Sequence, residues 1–340
     1  MAKYLRIMIA ILACMTSGSG QVIENVDGVQ IIHNTRGGLW GKTPKVKLEL
    51  IRRIGDIDTE DENVAFNYPS DVAVDKDGNI YILDSGNARI QKFGPDGKYL
   101  ATIGGKGQGP GELMLPDGID FDRDGNLIVA DSAQSRIKVI IGGGKDVKSV
   151  VLKDKPIRGI RTLSSGNYAV STATFFDPRA KEDGKRPSEV RLFKILAPDG
   201  RTITEFGRLT DFNEPLTNQL GNASALDVDA RDAVYVAFIF QNRVEKFGPD
   251  GTLLWRADRP LNYGTEVKKK GFIDRLGGSG LVVSPEMNAC ATGIAADAKG
   301  RSWVVTYGRQ LKKEVEEVRT TTLTLSPRGG GGYQFLLRQD

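Results

Sequence analysis

Apolar residues in this chain come in short runs, dominated by Val, Ile, Tyr and Phe, and each run is cut off by turn-forming residues. Examples are Val72-Ala73-Val74, Ile80-Tyr81-Ile82, Ile119-Asp120-Phe121 and Leu127-Ile128-Val129. Runs this short, alternating or continuously apolar, predict strands rather than helices. The punctuation is regular. Asp75 to Asn79 and Asp122 to Asn126 both read Asp-x-x-Gly-Asn, and Gly94 to Gly97 and Gly248 to Gly251 both read Gly-Pro-Asp-Gly. Asp-Gly and Gly-Asn pairs supply the positive φ of tight hairpin turns.

Aligning the chain with itself turns this pattern into a repeat. The first copy runs Tyr68 to Asp75, Gly78 to Ile82, Asp84 to Phe93 and Gly97 to Leu100. The second runs Leu115 to Asp122, Gly125 to Val129 and Asp131 to Ile140, offset by 47 residues from Asp75 to Asp122. A third copy takes Ile157 to Leu163, Gly166 to Val170, Val190 to Ile195 and Gly200 to Phe206. A fourth takes Ala225 to Asp229, Ala233 to Ala237, Arg243 to Phe247 and Gly251 to Trp255. A fifth starts at Gly293 to Asp297 and continues through Gly300 to Val305. Each full unit predicts a four-stranded antiparallel meander. Such a sheet cannot bury both faces alone, so the units must stack, and radial stacking gives a β-propeller.

Asp84-Ser85-Gly86-Asn87-Ala88-Arg89-Ile90-Gln91-Lys92-Phe93, with the linker Gly107 to Leu113, resembles NHL repeats, and more closely the exported bacterial six-bladed NHL/TolB-like propellers. The resemblance spans about residues 45–325 and is strongest in the first two copies. It implies an all-β fold of six blades, yet only five copies are found. The N-terminal strand candidates Val29 to Ile32 and Val46 to Ile54 stand outside the repeat and are expected to close the ring by completing the last blade. Little chain follows Leu325: Tyr333 to Arg338 allows one more strand. Either the last blade is shared and incomplete or the chain is truncated, and the final blade is expected to be poorly formed.

Composition narrows the function classes. The fraction of apolar residues is 39%, and the mean hydropathy of −0.29 fits a soluble protein. The net charge is +4, of which Lys3 and Arg6 lie in the first residues. No basic stripe of the nucleic-acid-binding kind follows. Met1 to Arg6 is short and basic, Ile7 to Ala13 is apolar, and small polar residues follow to Gly20. The apolar run is too short to span a bilayer and reads as a secretory signal. Ile11-Leu12-Ala13-Cys14 resembles a bacterial lipobox, which implies lipidation at Cys14, although Leu12 stands where that family usually has a small residue. The expected organisation is a signal over 1–20, an N-terminal extension over 21–45 and the propeller over 46–340. The expected address is the periplasm or, through a lipid anchor, the membrane surface.

Candidate chemistry is sparse. Cys290 lies between alanines with no histidine near it and reads as a buried thiol. Arg89, Arg136 and Arg243 share one repeat position and are expected to pair structurally, with Asp84 and Asp131 placed five residues before the first two. Asp75, Asp122, Asp229 and Asp297 end the first strand of four units. They read as caps of the following turn, ahead of a repeated calcium site. Gly104 to Gly111 lacks the Gly-Lys-Ser/Thr of a phosphate loop and reads as a crossover between blades.

In a meander, turns 1–2 and 3–4 share one face of the propeller, and turns 2–3 and the crossovers share the other. The long insertions, Gly104 to Pro116, Phe176 to Ser188, Arg208 to Gly221 and Asp258 to Asn288, all fall in the second class. Binding is expected there, with Phe175, Phe176, Arg179, Arg208, Phe212, Tyr263 and Phe272 as contacts. At the mouth of the central channel stand Asp71, Asp117, Arg158 and Asn222. Some propeller hydrolases resembling gluconolactonase place a carboxylate–Asn metal site there. A peptide-amidating lyase, similar in fold, needs His-ligated metal, and this chain has one histidine, His33, outside the repeats. The reading is a non-enzymatic binding or scaffolding propeller without a cofactor, its partner a protein, peptide or carbohydrate. The alternative is a divalent-metal-dependent lactonase or ester hydrolase, calcium being the metal it would take.

Overall fold

The computed structural model describes residues 20–35, 49–56, 59–144, 146–153, 157–172, 187–276, 279–306, 322–327 and 333–338, with the backbone alone over 272–276, 279–282, 322–327 and 333–338. The chain opens with a hairpin of β1 (Gln21–Val26) and β2 (Val29–Asn34). Four antiparallel meanders follow. The first is β3 (Pro69–Val74), β4 (Ile80–Asp84), β5 (Arg89–Phe93) and β6 (Tyr99–Gly104). The second is β7 (Pro116–Phe121), β8 (Leu127–Asp131), β9 (Arg136–Ile141) and β10 (Asp146–Val151). The third is β11 (Ile157–Thr162), β12 (Tyr168–Thr172), β13 (Arg191–Leu196) and β14 (Thr202–Arg208). After helix α1 (Pro215–Gly221) comes the fourth: β15 (Ser224–Val228), β16 (Val234–Phe238), β17 (Val244–Phe247) and β18 (Leu253–Asp258). Three hairpins complete the described chain: β19 (Phe272–Leu276) with β20 (Ser279–Val283), β21 (Gly293–Ala296) with β22 (Ser302–Val305), and β23 (Thr322–Pro327) with β24 (Tyr333–Arg338).

These meanders are propeller blades. Their first strands, β3, β7, β11, β15 and β21, neighbour one another in that order and form the inner wall. The core lies between sheets, which is why second strands carry apolar residues on both faces: every residue of β8 (Leu-Ile-Val-Ala-Asp) and β16 (Val-Tyr-Val-Ala-Phe) is buried. Leu83, Ile90, Ile119 and Val129 join blades one and two; Ile128, Ile137, Ile160 and Val170 join two and three; Phe193, Phe206, Leu226 and Val236 join three and four. Inner strands approach closely where β7 has Gly118, whose missing Cβ would come within 3.0 Å of the Ile160 nitrogen and 3.1 Å of the Arg158 oxygen.

The described residues hold four complete blades, with β21–β22 beginning a fifth. Val29–Ile32 takes a different place from the expected one. Strand β2 adds in parallel to β18, with Trp255 opposite Gln30, and thereby widens the fourth blade instead of completing the last. The pairing satisfies the outer edge of β18, which would otherwise present bare N–H and C=O groups. Asp258 locks it, accepting from the Asn34 amide at 3.2 Å and lying 2.5 Å from His33 Nδ1. Residues 49–54 of the second candidate, Val46 to Ile54, are not strand.

The two faces separate as expected. In blades one, two and four the second-to-third turn is hydrogen-bonded to a neighbouring crossover segment: Gly105 N to Ala88 O, Leu152 N to Ser135 O and Ile239 N to Ala223 O. The described crossovers therefore gather on that side, while most of the Phe176 to Ser188 insertion lies outside the described residues.

Candidate binding site at the mouth of the axis

Each inner strand enters from the crossover face, so its first residues form the mouth of the axis. Counting back from the turn residues Asp75, Asp122, Leu163, Asp229 and Asp297 puts Ser70, Asp117, Arg158, Ser224 and Thr292 at one level. All five are polar. Three residues further in, at the same repeat position, stand Ala73, Asp120, Arg161, Asp227 and Ala295.

The inner level is a charge network centred on Arg161. Its guanidinium is bidentate on Asp71, at 2.9 and 3.0 Å, and reaches Asp227 at 3.2 Å. Each carboxylate also ties one inner strand to another. Asp71 accepts from Ile119 N at 3.0 Å, Asp120 from Thr162 N at 2.6 Å, and Asp227 from Ala296 N at 2.7 Å. Burial works against the Arg161 charge, but Asp71 above all, then Asp120 and Asp227, hold it protonated well above the ordinary arginine range. Burial pushes the Asp120 carboxyl upward, against the pull of the Thr162 amide and Arg161.

The mouth level is less saturated. Burial raises the Asp117 carboxyl despite Ser132 and the nearby charge of Arg158. Asp117 Oδ2 is buried and without a hydrogen-bond partner. Ser70 shares a 2.5 Å contact with Ser85, whose hydroxyl donates to Pro116 O at 2.6 Å. Arg158 is exposed.

The expected site residues fall into separate groups. Asp71 is drawn inward to Arg161, while Asp117 and Arg158 share the mouth. Asn222 is committed elsewhere: it follows α1, accepts from Thr210 N at 2.8 Å and donates to the Thr210 and Asn218 carbonyls. The Phe212 ring covers Gly221, and Tyr263 donates to Ala289 O at 3.0 Å; both hold insertions in place. Arg208 ends β14 with an exposed side chain. Phe175, Phe176 and Arg179 lie outside the described residues, as do the Phe272 side chain, Cys14 and the rest of residues 1–19. Sequence reasoning missed Arg161, Asp120 and Asp227. Their signal was present, since all three lie two residues before the turn position, where the other units carry Ala.

The repeated acids cap turns. Asp75 Oδ1 accepts from Asp77 N and Asn79 N, and Oδ2 from Asn79 Nδ2 and Tyr81 Oη. Asp122, Asp229 and Asp297 repeat the backbone part of this pattern. Among the described residues, no group of three or more His, Cys, Asp or Glu comes together as a metal site. Cys290 is buried, and burial raises its thiol above the ordinary range. No described helix is long and apolar enough to cross a membrane.

Residues 66–93 match the NHL repeat, a span that covers the start of the first blade through β5. No curated protein sequence matches the chain. Among solved structures, virginiamycin B lyase from Staphylococcus aureus is similar at 13% identity over 71% of this chain and 78% of its own, with a TM-score of 0.42. A gluconolactonase from Xanthomonas campestris is similar at 14% identity over 70% of each chain, TM-score 0.43. A chain from a nidogen/laminin complex is similar at 16% identity over 72% of this chain and 74% of its own, TM-score 0.44. The chain is built of propeller blades, and the first of them carries the match to the NHL repeat.

Proposed function

We propose that this chain is an exported, non-enzymatic binding propeller of the cell envelope, which takes a protein, peptide or carbohydrate partner at the mouth of the axis on the insertion-bearing face. One observation carries the reading. The strongest charges on the axis, Asp71, Asp120, Arg161 and Asp227, are each tied to another inner strand. Groups committed in this way hold a scaffold rigid and are poorly placed to exchange protons with a substrate. The mouth above them offers hydroxyls, one carboxyl and one guanidinium, a set suited to polar recognition.

The second reading, a calcium-dependent lactonase, draws support from the unpartnered Asp117 Oδ2. Calorimetry with calcium and a gluconolactone hydrolysis assay separate the two. The binding reading expects a flat calcium titration and no turnover. It also expects retention of envelope components by the wild-type chain that is lost in the Asp117→Asn/Arg158→Gln double variant. Calcium-dependent turnover abolished by Asp117→Asn would overturn it. Anchoring at Cys14 belongs to the same proposal and is tested by labelled-palmitate incorporation: loss of label in Cys14→Ala supports it, unchanged label refutes it.

A further inference from the structure

Three arginines share one repeat position, and the structure treats one of them differently. Arg89 lies opposite Asp84 across the β4–β5 ladder and binds it through Nε at 2.8 Å, while Nη2 donates to the Glu62 and Ala65 carbonyls. Arg243 has Phe238 in place of that aspartate. It stacks on the Phe238 ring at 4.2 Å and binds Glu245 through two nitrogens at 2.9 Å. Arg136 lies opposite Asp131 in the same ladder position, and was expected to pair with it. It does not. The two oxygens of Asp131 accept from Met114 N and Leu115 N, both at 3.0 Å, because the crossover from blade one lies over them. In blade one a single crossover amide, Asn67 N, takes one oxygen of Asp84 and leaves the other for Arg89. Among the described residues, the Arg136 side chain has no hydrogen bond or ion pair.

The released guanidinium lines a depression of about 240 Å³ with Gln108, Met114, Ala133 and Gln134. The wall of this depression is built. Gln134 donates to Gly107 O at 3.1 Å, and the fully buried Lys138 ammonium holds the same Gly-rich crossover through the carbonyls of Gly109, Pro110 and Glu112. A half-buried guanidinium facing a fixed pocket with no internal anion is short of one anionic partner.

We propose that this pocket is a binding site for a small carboxylate, with Arg136 as its charge partner and the Gln108 side chain and Met114 as its walls. Carboxylate fits better than phosphate. The pocket supplies a single free cation, since Lys138 is spent on carbonyls, and the planar fork of arginine matches a carboxylate edge. The site stands on residues separate from the axis mouth, so either reading can fail without the other.

The test is an NMR titration of the full chain with N-acetyl-L-glutamic acid α-amide and, in parallel, with its neutral counterpart N-acetyl-L-glutaminamide. The proposal expects shifts centred on the Arg136 Nε–H and the Gln108 and Gln134 amides with the carboxylate only. Affinity should fall at least about tenfold in Arg136→Gln and stay unchanged in Arg158→Gln. Thermal melting supplies the second readout. Arg136→Gln should melt with the wild type, whereas Arg89→Gln, which breaks an internal pair, should melt lower. Equal affinity in Arg136→Gln, shifts abolished by Arg158→Gln, equal response to the neutral amide, no shifts at all, or a lowered melting temperature in Arg136→Gln would overturn the proposal.

Discussion

Single carboxylates do most of the local organising here. Asp75, Asp229 and Asp297 each close a turn and also accept from an aromatic six residues on, Tyr81, Tyr235 and Trp303. A lysine then caps two of these pairs: Lys246 lies 2.6 Å from the Tyr235 oxygen, and Lys92 sits over the Tyr81 ring. Removing the carboxylate strands several donors at once, so Asp75→Ala should lower stability by about 1–3 kcal/mol, read from the urea midpoint. The pH dependence follows. For Asp75 burial is the largest single influence and raises the carboxyl. The bonds from Asn79, Asp77 and Tyr81 together outweigh it and hold it below its ordinary value, and Asp229 behaves alike. Carboxyls lowered in the fold contribute stability that is complete above about pH 4 and is lost as the pH falls through the folded values. The urea midpoint should therefore drop as the pH falls below about 4, and drop less in Asp75→Asn. Asp117 and Asp120 are shifted the other way and favour the fold when protonated, which blunts the drop without reversing its sign for the turn acids.

At the scale of elements, crossovers decide what the blades present. The Gly104–Pro116 segment has the composition of a flexible loop, yet it is pinned from below. Lys138, on β9, is fully buried and its ammonium satisfies three crossover carbonyls, with Leu113 closing the apolar contact beneath. The equivalent residues in blades one and four are Gln91 on β5 and Glu245 on β17, also buried, so this third-strand position carries a different polar group in these three blades. Replacing Lys138 by Met should leave carbonyls unpaired and raise amide exchange over 105–113 by about tenfold or more, with a stability loss of about 2 kcal/mol. The same periodicity made Arg89, Arg136 and Arg243 legible as equivalents from sequence. The one extra crossover amide that separates Arg136 from Arg89 was not legible, because it depends on where Met114 and Leu115 pass over Asp131.

Across the whole molecule, the axis is where residues far apart in sequence meet. Arg161 is linked to Asp71 and Asp227, from blades one, three and four. Breaking this network by Arg161→Met should leave two carboxylates without their counter-charge and cost about 3–5 kcal/mol, measured as a fall in the urea midpoint. The repeat unit, its hairpin turns and the insertion-bearing face follow from the sequence alone. They rest on local rules: strand periodicity, positive-φ turn residues and the alternation of turns in a meander. Among the described residues, four of the copies form complete four-stranded sheets and the fifth gives the β21–β22 hairpin. The seat of β1–β2 on the fourth blade, the inward commitment of Asp71, the capture of Asn222 by α1 and the release of Arg136 were decided only in the tertiary structure. Each depends on a contact between segments distant in the chain, and a repeat pattern specifies which positions are equivalent without specifying which neighbours they will meet.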